Sequence, residues 1–243
     1  NDVRVRQDLS YAIPYEDIIA IGANGRGTQS RGTVPAGVFP YSEDVPQYTY
    51  DIEKAKTLLK EAGYDGGGFS LRLTYASENS TEETFAPLIK DSFAQIGVEV
   101  SVEPLAFSEQ WALAKTDPAT AQDIFLLLYW PTSSDAGADN MYSMFYGGAE
   151  APYLNVTKFN LSYWKNDAYN ALVDEAGPLS GTDVEASRAK YTEAQKILVE
   201  EAPAAFLFDT MVAFVNPNHV EGFKYNLNYP DVRYWFYELR PAK

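Results

Sequence analysis

A short run of aromatic, acidic and amide side chains is the part of the sequence best suited to ligand chemistry. It begins at Trp130 and continues through Asp135, Asp139 and Asn140. It directly follows residues 124–129, which are apolar at every position and are therefore typical of a strand covered on both faces. Ligands of open α/β sheets bind just beyond the carboxyl ends of strands, so this segment is predicted to line a binding site.

These side chains also have a structural interpretation, which the sequence leaves open. Trp130 could pack at the edge of the core, and Asp135 and Asp139 could form turns. Trp164 is a further candidate, because it lies in a loop-like stretch of a chain with 18 Tyr and 4 Trp. Aromatic rings with a polar group suit sugar faces and peptide side chains, and each stacked pair contributes about 0.5–1.5 kcal/mol beyond area burial.

Covalent catalysis has little support in the sequence. There is no cysteine, which excludes thiol nucleophiles and zinc–thiolate sites. The one histidine, His219, lies in a turn-rich stretch, and no G-x-S-x-G motif accompanies it. The sequence has no H-E-x-x-H motif and no EF-hand loop. A pair of catalytic carboxylates stays open, since 34 acidic residues guarantee pairs by chance. We therefore expect no catalytic residue, no metal and no cofactor.

The charge of the chain limits its partners. Its 243 residues carry a net charge of −15, so nucleic acid and anionic membranes are disfavoured by repulsion. No apolar run approaches the ~18 residues that a membrane span requires. Glycosylation sequons at Asn79, Asn155 and Asn160 are weak evidence for glycans in a chain this rich in Asn, Ser and Thr.

Strands and helices alternate through most of the chain, which predicts an α/β fold. One helix is predicted over residues 3–13, and another lies between an N-cap at Asp51 and a stop at Gly63. Capping boxes are predicted at Ser80/Glu83 and Thr182/Glu185. The remaining predicted elements are strands over 69–75, 98–102, 124–129 and 204–208, helices over 80–95, 167–175 and 182–200, a short helix after 108, and a long loop over 22–50.

The first 63 residues resemble the extracellular solute-binding proteins of peptide-type ABC importers, family 5, which include the oligopeptide and dipeptide binders. In that family a helix reading V-R-x-A-L-x-x-A-I-D opens the C-terminal lobe, and D-P-x-K-A-K-x-L-L-x-E-A-G-Y follows it. Three positions depart from the pattern. Asp8 stands where the family has Ala, Pro14 where it has Asp, and Ile52 where it has Pro.

The candidate site resembles the family segment W-x-x-D-Y-x-D-P-x-N-(F/L). The resemblance implies that Trp130 lies in the ligand cleft and that Asp139 and Asn140 are the closing acid and amide. The first acid of that segment pairs with the free amino group of a bound peptide. Ser133 occupies its place here in a loop about one residue longer, and Asp135 is the candidate to reach the same point.

A second site segment, residues 160–167, resembles the family pattern N-x-S-x-Y-x-N-P-x-x-D, which helps to close the cleft. Trp164 lies in it and is taken as a ligand-binding candidate. Asn166 or Asp167 would cap the next helix.

The resemblance implies an α/β fold that is one lobe of a two-lobe periplasmic-binding-protein structure of type II, the Venus-flytrap arrangement. A mixed sheet flanked by helices is expected over residues 1–210. Residues 211–243 would cross the hinge and return to a missing N-terminal lobe. The family is roughly twice this length, so we expect a fragment that binds ligand weakly by itself.

The implied function is solute capture by hinge closure in the periplasm or outside the cell, with delivery to the membrane subunits of an ABC importer. Association with the membrane would be through the importer or a lipid anchor. The ligand is expected to be a peptide or an oligosaccharide. The loss of the amine-binding acid and the supply of Trp and Tyr move the expectation toward sugars, to near parity with peptides. A carbohydrate-active enzyme and a non-transport surface interaction module are the alternatives.

Overall fold

The computed structural model describes residues 2–128, 135–148, 159–211, 215–223 and 238–242. Trp130 and Ser133 lie outside these ranges. Helices α1 to α8 span Val3–Tyr11, Tyr15–Gly22, Ile52–Glu61, Ser80–Ala94, Phe107–Ala114, Tyr142–Phe145, Asp167–Ala176 and Val184–Glu201. Strands β1 to β7 span Gly27–Thr28, Ser70–Ala76, Glu99–Leu105, Ile124–Phe125, Asp209–Thr210, Val220–Glu221 and Arg240–Pro241. A π-helical turn, Gly137–Met141, precedes α6, and a 3-10 turn, Gly177–Leu179, follows α7.

A three-stranded sheet organises the first half of the chain. Its strand order is β3-β2-β4, and both pairings are parallel. Antiparallel pairing occurs in two separate ribbons, β1 with β5 and β6 with β7. The predicted strands 69–75 and 98–102 correspond to β2 and β3. The central strand β2 is the most buried, with Leu73 and Thr74 fully inaccessible, because it is covered by neighbours on both edges.

Helix α3 forms as its sequence predicts. The Asp51 side chain accepts the backbone N–H of Lys54 at 2.9 Å, which satisfies one of the free amides at the helix start. Ala55 and Leu59 form its buried face. Gly63 closes the helix at φ +92°, a backbone region that favours glycine.

Both predicted capping boxes are wrong by one residue. Asn79, whose backbone is still extended, caps α4 and accepts the amides of Thr81 and Glu82. Asp183 caps α8 and accepts the amide of Ala186 at 3.1 Å, in place of Thr182. Asn and Asp are at least as good as Ser and Thr at this position, so the adjacent residue replaces the predicted cap in each case.

Three other elements differ from the prediction. Residues 124–129 form no long covered strand in their described part, since β4 has two residues and lies at the sheet edge. The predicted strand 204–208 is absent, and β5 begins at Asp209. Helix α2, within which Ile18 is fully buried, was not predicted at all.

The buried hydrophobic residues that the structure describes form two cores. The first joins α1 to α4 with the sheet, and its largest buried side chains include Ile18, Leu59, Leu73, Phe85 and Phe93. The second joins the π-helical turn and α6 to α7, α8 and the loop around residues 34–41, and it contains Met141, Trp164, Tyr169, Tyr191 and Leu198.

The predicted boundary near residue 211 stays a prediction. β5 ends at Thr210, and the described residues beyond it include the β6–β7 ribbon. Among the described residues, no helix has the length and apolar character needed to cross a membrane.

Candidate functional site

The candidate site lies where the parallel strands end. Ala76, the last residue of β2, is in register with Leu105, the last residue of β3, so both strands finish at the same end of the sheet. β4 runs parallel to them and leads, three residues later, to the segment that begins at 129. Open α/β sheets bind ligands at this end of the sheet, just beyond the carboxyl ends of the strands.

A buried carboxylate joins two of these strand ends. Glu82 on α4 is 2% exposed, and its Oε2 accepts the backbone N–H of Ala76 at 2.9 Å. Its Oε1 accepts the N–H of Leu128 at 3.0 Å and the side-chain amide of Asn79 at 2.9 Å. Burial raises the pKa of Glu82, and these hydrogen bonds oppose the rise. Glu82 was not predicted from the sequence, although the Asn79-x-x-Glu82 spacing is that of a capping box.

Asp135 begins the described part of the predicted ligand segment, and its contacts are those of a turn. Its Oδ1 accepts the N–H of Gly137 at 2.9 Å and that of Ala138 at 3.2 Å. Its backbone pairs with Phe39, whose carbonyl accepts the N–H of Ala136 at 2.9 Å. These contacts agree with the turn interpretation, and a ligand role for Asp135 stays a prediction.

Asp139 and Asn140 lie in the π-helical turn. The backbone carbonyl of Asp139 accepts the hydroxyl of Ser143. Asn140 is 3% exposed and donates its amide to the carbonyl of Thr33 at 2.6 Å. Among the described residues, the Oδ1 of Asn140 has no hydrogen-bond partner. Asn140 thus anchors the site segment to the 22–50 loop, which the sequence could not predict.

The ring of Tyr191 on α8 packs against this segment at Gly137. A side chain at Gly137 would overlap the Tyr191 ring, so glycine permits the close approach. The ring also packs edge-on against Phe39 at 6.2 Å between centroids. Burial raises the pKa of the Tyr191 hydroxyl well above its ordinary value, and the charge of Asp135 adds to the rise. The site segment is therefore held between α8 and the Phe39 backbone.

Trp164 belongs to the second core. It is 8% exposed and packs edge-on against Tyr169, with 5.0 Å between ring centroids. Its carbonyl accepts the amide of the buried Asn160 at 2.8 Å. Asn166 caps α7 by accepting the N–H of Tyr169 at 3.0 Å, as expected. This environment favours a packing role for Trp164, whose contact with ligand stays a prediction.

Several other features of the described part of the chain lie outside the predicted ligand segment. No cluster of three His, Cys, Asp or Glu side chains there could hold a metal ion. His219 is exposed in the turn before β6. An open groove lined by Asp2, Val5, Tyr64 and Phe69 lies at the amino end of β2, opposite the candidate site. The buried Asn160 shows that this sequon is inaccessible in the folded chain.

Comparison with known proteins gives a consistent result. The family model described as bacterial extracellular solute-binding proteins, family 5 Middle, matches residues 1–153. Heme-binding protein A of Haemophilus influenzae is 32% identical over 208 residues, which are 84% of this chain and 36% of that protein. The dipeptide-binding protein of Escherichia coli is 29% identical over 228 residues, covering 92% of this chain and 40% of that protein.

Solved structures agree in fold. HbpA2 from Haemophilus parasuis superposes with a TM-score of 0.81 at 22% identity, over all of this chain and 46% of that one. The periplasmic binding protein DppA from Helicobacter pylori, in complex with the peptide STSA, gives 0.79 at 24% identity, over all of this chain and 44% of that one. The chain thus spans less than half of the relatives that it matches. The expected lobe of a two-lobe periplasmic-binding-protein fold is confirmed.

Proposed function

Because the chain belongs to the bacterial extracellular solute-binding proteins of family 5, we propose that the protein captures a peptide or peptide-like solute outside the cytoplasmic membrane and delivers it to an ABC importer. The observation that carries the proposal is the family match over residues 1–153, which includes the sheet edge and the whole segment from Trp130 to Asn140. The family consists of binding proteins and not of enzymes.

The peptide class is supported by the relatives. One is named for dipeptide binding, and a structural neighbour holds the peptide STSA. The first relative is named for heme binding, so the ligand class within the family varies. Trp130 is the proposed stacking surface. Ser133 stands where the resemblance expects an amine-binding acid, and Asp135, whose Oδ1 caps the following turn, is the proposed replacement.

The proposed mechanism is closure of two lobes about a hinge. Residues 1–210 would form one wall of the cleft, and the hinge would lie near residue 211. A ligand that contacts both walls favours the closed state by its extra contacts there. The importer would then distinguish the closed state from the open one. No step of this mechanism requires covalent chemistry, metal or cofactor.

The test is a binding screen of the intact protein. Thermal shift followed by calorimetry would use the peptide Ser-Thr-Ser-Ala, a set of dipeptides, heme and short oligosaccharides. We expect a peptide to raise the melting temperature, because a ligand that binds only the folded state stabilises it. Binding of oligosaccharides alone would contradict the peptide assignment. No stabilisation by any compound would contradict solute capture, and hydrolysis of a chromogenic glycoside would contradict a pure binding function.

The site assignment is tested with Trp130→Ala. Affinity for the peptide is expected to fall by tenfold or more, since stacking and apolar contact are both lost. Tyr64→Ala is the matched control, because Tyr64 is a 44% exposed aromatic residue near the opposite edge of the sheet. An affinity within twofold of the unaltered protein for Trp130→Ala would remove this residue from the site.

A further inference from the structure

We infer that Glu82 is a positioning residue of the solute site, because its carboxylate sets where the chain leaves β4 toward residues 129–134. The inference rests on the proposed function for the meaning of that segment. The contact itself is independent of any ligand.

The backbone pairing of β2 with β4 stops just before the candidate site. It covers two residue pairs, Leu73 with Ile124 and Thr74 with Phe125. One more bond follows, from the N–H of Leu126 to the carbonyl of Thr74 at 3.0 Å. In a parallel ladder the next such bond would join the N–H two residues further on to the carbonyl of the second residue beyond Thr74.

That bond is replaced by side-chain contacts. The carbonyl of Ala76 accepts the N–H of Asn79 at 2.8 Å in the turn after β2. The N–H of Leu128 donates to Glu82 Oε1, and the N–H of Ala76 donates to Glu82 Oε2. The carboxylate therefore lies between the two strand ends and takes one amide from each.

A second side chain completes the replacement. Gln110 on α5 is fully buried and donates its amide to the carbonyl of Leu126 at 3.0 Å and to that of Thr74 at 3.1 Å. Gln110 on α5 thus donates to the carbonyl of Leu126 and adds a second donor to that of Thr74, and Glu82 on α4 accepts two backbone amides. Buried backbone groups need such partners, so the strands separate at this edge without leaving these groups unpaired.

An ionised carboxylate suits this position of Glu82. Both oxygens act as acceptors, and hydrogen bonds to a charged group are stronger than neutral ones. Glutamine has the same shape but offers one acceptor, so its NH₂ group would face the N–H of either Ala76 or Leu128. One of these two backbone amides would then lose its acceptor.

The experiment compares Glu82→Gln with Glu83→Gln in the intact protein. Both changes remove one negative charge from α4, but Glu83 is exposed. Amide hydrogen exchange at Leu128 and Ala76 is measured without ligand, and calorimetry gives the affinity for Ser-Thr-Ser-Ala. We expect Glu82→Gln to speed exchange at Ala76 or at Leu128, whichever amide faces the new NH₂ group, by about tenfold or more and to weaken binding by about tenfold. Glu83→Gln is expected to stay within twofold in both.

Hydrogen exchange is also measured at the amides of α7 and α8. It is expected to be unchanged, because a loss of positioning at Glu82 acts locally, whereas a general loss of stability would speed exchange there as well. Unchanged exchange at both Ala76 and Leu128, or faster exchange with unchanged affinity, would overturn the inference. If Glu82→Gln does not fold, Glu82→Asp keeps the charge, and its shorter side chain is expected to release one of the two amides. Failure of the unaltered protein to bind any peptide would overturn the proposed function, whereas exchange at Leu128 would still report on the contact.

Discussion

Replacing Asp8 by asparagine is expected to stabilise the protein at neutral and alkaline pH, with a much smaller effect in mild acid. Asp8 lies on α1, is fully buried, and has no hydrogen-bond partner for either carboxylate oxygen among the described residues. Burial alone raises its pKa from 3.8 to about 7. The family pattern that this helix resembles has alanine at this position.

The cations near α1 do not compensate this carboxylate. Lys54 of α3 donates to the hydroxyl of Tyr11 at 2.6 Å and lies over its ring. Arg4 pairs with Asp2 at 2.6 Å, and Arg6 pairs with the last residue of α8. Lys54, Arg4 and Arg6 therefore each contact a partner other than Asp8, and an ionised Asp8 would have no hydrogen-bond partner among the described residues.

The magnitude follows from linkage. Between pH 3.8 and about 7 the folded protein holds a proton on Asp8 that the unfolded chain has released. Stability therefore falls as pH rises, by about 1.4 kcal/mol for each pH unit in this window. The total loss is roughly 4 kcal/mol at pH 7 and stays constant above it, a large part of the stability of an ordinary domain. Asparagine has nearly the same size and does not ionise.

The assay is urea unfolding of the unaltered protein, Asp8→Asn and the exposed control Asp91→Asn at a series of pH values from about 4.5 to 8.5. The free energy of unfolding of Asp8→Asn should exceed that of the unaltered protein by about 1 kcal/mol at pH 4.5 and by about 4 kcal/mol at pH 7.5. Asp91→Asn should stay within about 0.5 kcal/mol throughout. A difference for Asp8→Asn that does not change with pH would refute the reasoning.

Three further substitutions test how the site segment is held. Gly137→Ala should destabilise by about 1–3 kcal/mol because the added methyl overlaps the Tyr191 ring, whereas Gly181→Ala, with open space around it, should have little effect. Asn140→Ala should cost about 1–3 kcal/mol in urea unfolding, since the partly buried backbone carbonyl of Thr33 loses its donor. Trp164→Ala should cost about 3–5 kcal/mol, and an unchanged stability with weakened peptide binding would instead establish it as a ligand contact.

The N-terminal helices illustrate what short-range signals can predict. Asp51 and Gly63 bound α3 because a cap side chain and a left-handed glycine each act within a few residues. The capping of α4 and α8 was misplaced by one residue because neighbouring polar side chains compete for the same free amides. Such errors change the boundary of a helix but not its existence.

The strands near the site were harder to predict. Residues 124–129 are apolar in sequence, and of these Leu126 belongs to the first core, with Ile124 and Leu128 packed against it. Apolar character does not say how long the chain stays paired to β2. Where the pairing of β4 stops, Glu82 contacts Leu128, which is 46 residues away in sequence, and Gln110 contacts Leu126, which is 16 residues away. No local pattern in the sequence records such long-range hydrogen bonds.

Residue order and local patterns were enough to predict the family and the α/β character, and they place the candidate site in residues 130–140 as a prediction. The folded structure was needed to show which residues support that site. Glu82 lies between the strand ends, Asn140 donates to the carbonyl of Thr33, and Gly137 packs against Tyr191. The fold also placed Trp164 in the core and left Asp8 buried without a partner among the described residues. The physical reason is that burial and hydrogen bonding depend on groups that are distant in sequence and meet only when the chain is folded.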